Sequence, residues 1–224
     1  MILSVGVVPP RHALDAVLAM MAAVEPPAVA PTVEVAPPRT FRWGRAGRER
    51  PQVEPPTPAA QEFVALPPEC VHLLVSRIGS TTPVDAVRLT KAVGLAAAGW
   101  VCPSVCFAGG EIREVKAERW VAAGLRGDLA ALETIAGEVN RAAQSLGFLL
   151  DRRSFRPLLS VASVPGTATG PHLEAVVSAL EAFEGDPWTV DHLSLLQDSF
   201  EVSAGPREIA QFPLLPAGPH SDEG

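Results

Sequence analysis

Ile2–Val8 is almost wholly apolar and largely β-branched, as a buried strand is, and Pro9-Pro10 ends it and suits the start of a helix. Leu14, Val17, Leu18 and Met21 follow at helical spacing, which predicts an amphipathic helix over about residues 11–24. From Glu25 to Pro68 no apolar period survives, and Pro, Ala, Glu and Arg dominate; residues 25–66 read as a long, flexible Pro/Arg-rich insertion. Order returns with an apolar strand over 70–76. Thr82-Pro83 then supplies an N-cap and a first-turn proline, and Gly99 closes that helix. Residues 101–107 and 114–121 read as two strands around a turn at Gly109-Gly110. Asp128 opens a helix whose stripe is Leu129, Leu132, Ile135, Val139 and Leu146, with Gly147 as its stop. A strand over 157–163 comes next, and Gly170-Pro171 opens a helix with Leu173, Val176, Val177 and Leu180 inside. Strands over 188–196 and 207–214 complete the pattern, ahead of a disordered tail at 217–224.

Strand–helix–strand units in both halves, with runs of strands between helices, predict an α+β fold with mixed or antiparallel sheets rather than a doubly wound parallel one. No Gly-x-Gly-x-x-Gly and no P-loop occurs, so nucleotide cofactors of those kinds are not indicated. The 224 residues, 47% hydrophobic, suffice for one large domain or two small lobes with a sizeable core.

Charge refines the picture. The net charge is −7, but Arg39–Arg50 holds five Arg against one Glu, leaving −7 − 4 = −11 elsewhere. An acidic body with one basic segment is not a general nucleic-acid binder, though a local pocket can still hold a phosphate. Phe41 and Trp43 lie among those arginines. They fit a stacking patch for single-stranded RNA, or, more simply, a solvated loop with two anchoring aromatics. Cys70, Cys102 and Cys106 lack the four-ligand set of a structural zinc site and read as buried, reduced thiols of a cytoplasmic protein. Ala13–Ala30 superficially resembles an export signal, but Asp15 interrupts it and a strand precedes it, so it reads as a helix. No apolar run approaches the ~20 residues of a membrane span.

Side-chain alternation picks out candidate chemistry. Over 70–76, His72, Leu74 and Ser76 share one face and Val71, Leu73 and Val75 the other. Over 157–163, Leu158, Ser160 and Ala162 share a face with Arg156, against Leu159 and Val161. Where the two mixed faces meet across a cleft, His72, Arg156 and Ser160 converge.

With these segments in order the chain resembles the 2H phosphoesterase superfamily, in particular the 2'-5' RNA ligase or RNA 2',3'-cyclic phosphodiesterase family. The resemblance is carried by Ile2–Pro10, Val71–Gly79, the helix Asp128–Phe148, Phe155–Ala162 with its Phe-Arg-Pro lead, and the strands Trp188–Ser199 and Ile209–Leu214. It implies a single domain over 1–216 of two pseudo-symmetric α+β lobes whose central strands face each other and contribute one His-x-Thr-x each. One imidazole acts as general base and the other as general acid, the hydroxyls bind phosphate oxygens, and neither metal nor cofactor is needed.

The chain departs from that pattern twice. His72-Leu73-Leu74-Val75 keeps the histidine but has Leu74 in place of the hydroxyl. Leu158-Leu159-Ser160-Val161, 158 − 72 = 86 positions on, keeps a hydroxyl at Ser160 but has Leu158 in place of the histidine. The resemblance therefore implies a degenerate protein that binds an RNA end, nucleotide or other phosphate ester, with hydrolysis lost or weak. Two alternatives stand beside it. His192-Leu193-Ser194-Leu195, 192 − 72 = 120 positions on, spells His-x-Ser-x and would let His192 act with His72 and Ser160 in a working phosphodiesterase or ligase; otherwise His192 is a surface histidine beside Asp191. A non-catalytic interaction scaffold whose partner site is the Pro-rich insertion is the third reading; taken alone, His72 also reads as a histidine kept for packing or hydrogen bonding. His12 and His220 read as solvated and His172 as local to a helix start.

Overall fold

The computed structural model describes residues 1–25, 62–115, 117–150, 155–165, 170–199 and 204–216. The basic segment with Phe41 and Trp43, and the tail with His220, lie outside the described residues.

The elements run β1 (Ile2–Val7), α1 (Arg11–Ala23), β2 (Val64–Ala65), a short 3₁₀ turn (Pro68–Cys70), β3 (Leu73–Ser80), α2 (Pro83–Ala97), β4 (Ser104–Val115), β5 (Glu118–Gly127), α3 (Leu129–Ser145), β6 (Leu158–Val164), α4 (Pro171–Ala182), β7 (Trp188–Thr189), β8 (His192–Gln197) and β9 (Arg207–Pro213). They form two sheets, ordered β3-β1-β8-β9 and β2-β6-β5-β4-β7. Every ladder in both is antiparallel.

Each sheet is backed by two helices. In the first, α3 packs on β3 and α2 on β9; in the second, α4 and α1 pack on β4 and on each other. Leu73, Leu89, Leu132 and Val139 on the first side, and Leu159, Val161, Leu173 and Leu180 on the second, are buried completely or nearly so. The helix starts follow from local chemistry. The Thr82 hydroxyl accepts from the Asp85 amide at 3.1 Å, and Pro83 and Pro171 take first-turn positions where a proline loses no helical bond.

Several boundaries differ from the pattern. Gly109-Gly110 is not a hairpin turn: β4 runs through it, and Gly109 at φ +78° sits in a bulge between Phe107 and Gly110. The strand at 188–196 is two, β7 in the second sheet and β8 in the first, because Val190 and Asp191 carry the chain between sheets. The strand expected over 70–76 begins at Leu73, since Pro67 and Pro68 favour the 3₁₀ turn before it. Residues 62–66, assigned to the insertion, include β2, which pairs with β6.

Both ends of the excursion over 26–61 are fixed at the start of α4. The His172 Nε2 donates to the Val24 carbonyl at 2.9 Å, the Phe63 ring lies 5.1 Å from the His172 ring, and the Glu62 carboxylate accepts from the Leu173 amide at 2.7 Å. His172 is thus a tie for that excursion.

Candidate functional site

β3 and β6 lie in different sheets and touch where the sheets meet. β6 is interior to its sheet, whereas β3 is an edge strand rather than a central one. Bulges in both ladders change which side chains share a face. In β1–β3 the register slips between Val5 and Gly6, so Ser76 turns to the helix side, where its hydroxyl donates to the Asn140 carboxamide on α3 at 2.6 Å. Ser76 therefore does not share the face of His72 and Leu74. In β5–β6 the slip falls between Val121 and Ala122, so Ala162 pairs with buried Val121 and leaves the face of Leu158 and Ser160, and Ser163 takes its place.

On the first sheet, Leu74, Gly6 and Ser194 lie in one cross-strand row. One row further, at the ends of the same strands, alternation places His72, Val8 and His192. Gly6 makes room for the imidazole: a Cβ there would lie 3.3 Å from His72 Cδ2 and 2.8 Å from the Leu73 carbonyl oxygen. His72 Nδ1 is 3.1 Å from the Cys70 carbonyl, which only accepts, so Nδ1 carries the proton and a neutral ring presents Nε2 as a lone pair. Burial pushes the His72 pKa below its ordinary value; the Cys70 bond and the nearby Asp198 carboxylate partly oppose this, and Arg77 adds to it. The ring is therefore neutral at pH 7 and competent as a base.

His192 is anchored differently, with Nδ1 donating to Asp191 at 2.6 Å. Its companion Ser194 is fully buried and donates to Glu208 at 2.5 Å, while Gln211 donates to the other Glu208 oxygen at 2.7 Å. The Ser194 proton is committed to a carboxylate. Ser4 similarly donates to Asp198 at 3.2 Å.

On the second sheet, Leu158 pairs with Gly124 and Ser160 with Ala122, both half-buried, and Arg156 is exposed two residues ahead of β6. Among the described residues the Ser160 hydroxyl and the Arg156 guanidinium have no partner. The arrangement supplies the neutral His72 imidazole on the first sheet and, on the second, the Ser160 hydroxyl and the Arg156 guanidinium, both without a partner among the described residues. Sequence reasoning missed Asp198 and Glu208, because their partners Ser4 and Ser194 lie on other strands, 194 and 14 positions away, and no local pattern joins them. It also missed Trp188, which lines a cavity with His192; both aromatics stand within five positions, but their shared cavity depends on Val7 and Val8 from the far end of the chain.

No protein-family model matches the chain. Among solved structures it is similar to TT0787 of Thermus thermophilus, with TM-score 0.64 and 13% identity over 96% of this chain and 98% of that one. It is similar to the same degree to LigT of E. coli in its apo form, at TM-score 0.62 and 13% identity over 96% and 97%. LigT complexed with 3'-AMP aligns at TM-score 0.63 and 12% identity. A structure described as a phosphoesterase aligns over the same share. Among curated proteins, the probable alcohol dehydrogenase EutG of Salmonella typhimurium is 29% identical over 136 residues, 57% of this chain and 34% of that protein. The chain spans about a third of that relative's length.

Proposed function

We infer that the chain is a 2H phosphoesterase, from the α+β fold it shares over nearly its whole length with TT0787 and LigT. From that premise we propose that it is a degenerate relative of the 2'-5' RNA ligases and RNA 2',3'-cyclic phosphodiesterases, binding nucleotides, RNA ends or other phosphate esters between β3 and β6 with hydrolysis lost or slow. The observation that carries this is the asymmetry of the two strands: a neutral, base-competent His72 on one, and Leu158 with a Ser160 hydroxyl that has no partner among the described residues on the other. Structures of LigT with 3'-AMP, NADP+, ATP and phosphate support a phosphate-ester ligand for such a fold.

In this reading Arg156 and the Ser160 hydroxyl hold phosphate oxygens, and His72 Nε2 takes a proton from the attacking hydroxyl or water. Leu158 offers no proton to the leaving oxygen, a loss worth ~10²–10⁴ in rate. Leu74 replaces a hydrogen bond to an anion worth ~1.5–3 kcal/mol.

Two observations weigh against His192 as the replacement acid. It lies in the same sheet as His72, two strands or roughly 10 Å away, whereas in-line displacement needs acid and base on opposite sides of phosphorus. Its companion hydroxyl, Ser194, is bound to Glu208. Calorimetric titration with 3'-AMP and chromatography of 2',3'-cyclic AMP incubations test the proposal. Binding with little or no turnover, weakened by Arg156→Ala, is expected; efficient turnover abolished by His192→Ala would overturn it.

A further inference from the structure

Of the described tryptophans, Trp100 and Trp188 are 5% exposed and belong to the hydrophobic core, but Trp120 does not. It is half-buried and sits on β5, whose core-facing residues are Val121, Ala123 and Leu125. From Glu118 to Ala123 the β4–β5 ladder is unbroken, so Trp120 shares a face with Ala122. Ala122 is the cross-strand partner of Ser160. The indole therefore stands on the face of the second sheet that carries Leu158 and Ser160, one row beyond the Ser160 hydroxyl. Its own row reads Arg113, Trp120, Ser163 and Val64 across four strands. Arg113 turns to the same face, with its Nε 3.9 Å from the carboxylate of Glu111, which stands in the Ser160 row. Directly opposed residues of an antiparallel ladder have Cβ atoms ~4.5–5.5 Å apart, so guanidinium and indole rise side by side. An indole kept partly in water forgoes the burial that the core tryptophans obtain, and such aromatics belong to contact surfaces.

We propose that Trp120, with Arg113 beside it, is a stacking platform for the base of a nucleotide whose phosphate lies at Ser160. This rests on the function proposed above and names its substrate class: a phosphate ester that carries a base, as a mononucleotide or as an RNA end. Two residues of strand span ~6.7 Å and neighbouring strands lie ~4.8 Å apart, which sets Trp120 about 8 Å from Ser160 along the sheet. One nucleoside bridges such a span between its phosphate and its base. Aromatic rings and arginine planes are the groups on which unpaired bases stack. Every base presents a π-face, so the platform selects for a base rather than for one base over another. A sugar or glycerol phosphate would leave it uncovered.

The test is calorimetric titration of the full-length protein with 3'-AMP, glycerol 2-phosphate and adenosine, alongside tryptophan fluorescence. 3'-AMP should bind about tenfold more tightly than glycerol 2-phosphate. Trp120→Ala should erase that preference by weakening 3'-AMP alone, and Trp120→Phe should keep most of it. Arg156→Ala should weaken both phosphates equally. 3'-AMP should also quench the fluorescence, and the quench should vanish in Trp120→Phe although the ligand still binds, an effect that a merely structural tryptophan would not give. A 3'-phosphorylated trinucleotide separates the two sources: tighter binding than 3'-AMP assigns an RNA end, and equal binding a mononucleotide. Glycerol 2-phosphate binding as tightly as 3'-AMP removes the platform and leaves the phosphate-ester function. Saturable quenching by adenosine that Trp120→Phe abolishes, without binding of either phosphate, keeps the platform and removes that function. Unchanged selectivity in a folded Trp120→Ala, or an unchanged quench in Trp120→Phe, overturns the inference.

Discussion

Rebuilding both motifs should restore hydrolysis. The perturbation is the double variant Leu74→Thr, Leu158→His, which places a hydroxyl opposite Gly6 and an imidazole opposite Gly124. Leu74 is 36% exposed, so about two-thirds of a leucine's ~1.5–3 kcal/mol of burial is at stake, or ~1–2 kcal/mol. Half-buried Leu158 risks a similar amount, and the sum is tolerable against a typical 5–15 kcal/mol of stability. The restored general acid is worth ~10²–10⁴. The restored hydroxyl, at ~1.5–3 kcal/mol and 1.36 kcal/mol per decade, adds one to two decades. A gain of about 10³–10⁶ over the unmodified protein is expected with 2',3'-cyclic nucleotide, read as product monophosphate by chromatography. Leu158→His alone should give the larger share, and His72→Ala in the double background should return the rate to baseline. A double variant that melts cooperatively yet stays within tenfold of the unmodified protein would refute the reasoning, as would a gain that survives His72→Ala.

Three further outcomes follow from geometry. The lowered pKa of His72 means that the unfolded chain takes up this proton before the folded one, so its contribution to stability is complete above pH ~6.5 and is lost as pH falls through the folded value. Denaturant titrations between pH 7 and 5 should show a slope up to ~1.4 kcal/mol per pH unit steeper than in His72→Gln, and equal slopes would remove the assignment. Replacing positions 26–61 (61 − 25 = 36 residues) by a six-residue Gly/Ser linker should leave the fold intact and stabilise it by about 1.6 kcal/mol of loop-closure entropy, because Val24 and Glu62 are already tied to α4; a fall in Tm would show that the excised residues support the core. Gly6→Ala should cost roughly 1–3 kcal/mol by pressing a methyl on the Leu73 carbonyl and the His72 ring, and should shift the His72 ring resonances.

Helix positions were legible in the sequence because caps act locally. Thr82-Pro83, Gly147 at φ +89° and Gly170-Pro171 each mark a boundary that depends on only a few neighbouring residues. The order of elements was legible too, since the apolar periods of α3 and β6 leave little choice. Face assignments were not. Alternation assumes an unbroken ladder, and one extra residue turns every later side chain over. That is why alternation relates His72 to Leu74 correctly but puts Ser76 on the wrong face. The same holds for Leu158 and Ser160 against Ala162. Gly109-Gly110 is ambiguous for a related reason: glycine at positive φ serves a tight turn and a bulge equally, and only the partner strand β5 decides between them. The split of 188–196 depends on two sheets competing for one segment, which no local signal encodes.

Asp198 offers the sharpest test of whether this cleft still favours an anion. It lies close enough to His72 to raise its pKa, and it accepts from Ser4 on the first sheet. A carboxylate there opposes a phosphate electrostatically while holding protons more tightly on the imidazole, so it works against both binding and the availability of the free base at low pH. Asp198→Asn keeps an oxygen to accept the Ser4 hydroxyl and removes only the charge. Two effects should follow together. The His72 pKa, read from its ring protons by NMR, should fall further, because the favourable partner of the imidazolium is gone. Affinity for 3'-AMP at low ionic strength should rise severalfold, and the gain should shrink as salt is added, since the removed repulsion is long-ranged and screened. If the pKa falls but affinity does not change at any ionic strength, the ligand's phosphate does not sit near His72, and the cleft between β3 and β6 is not the phosphate site.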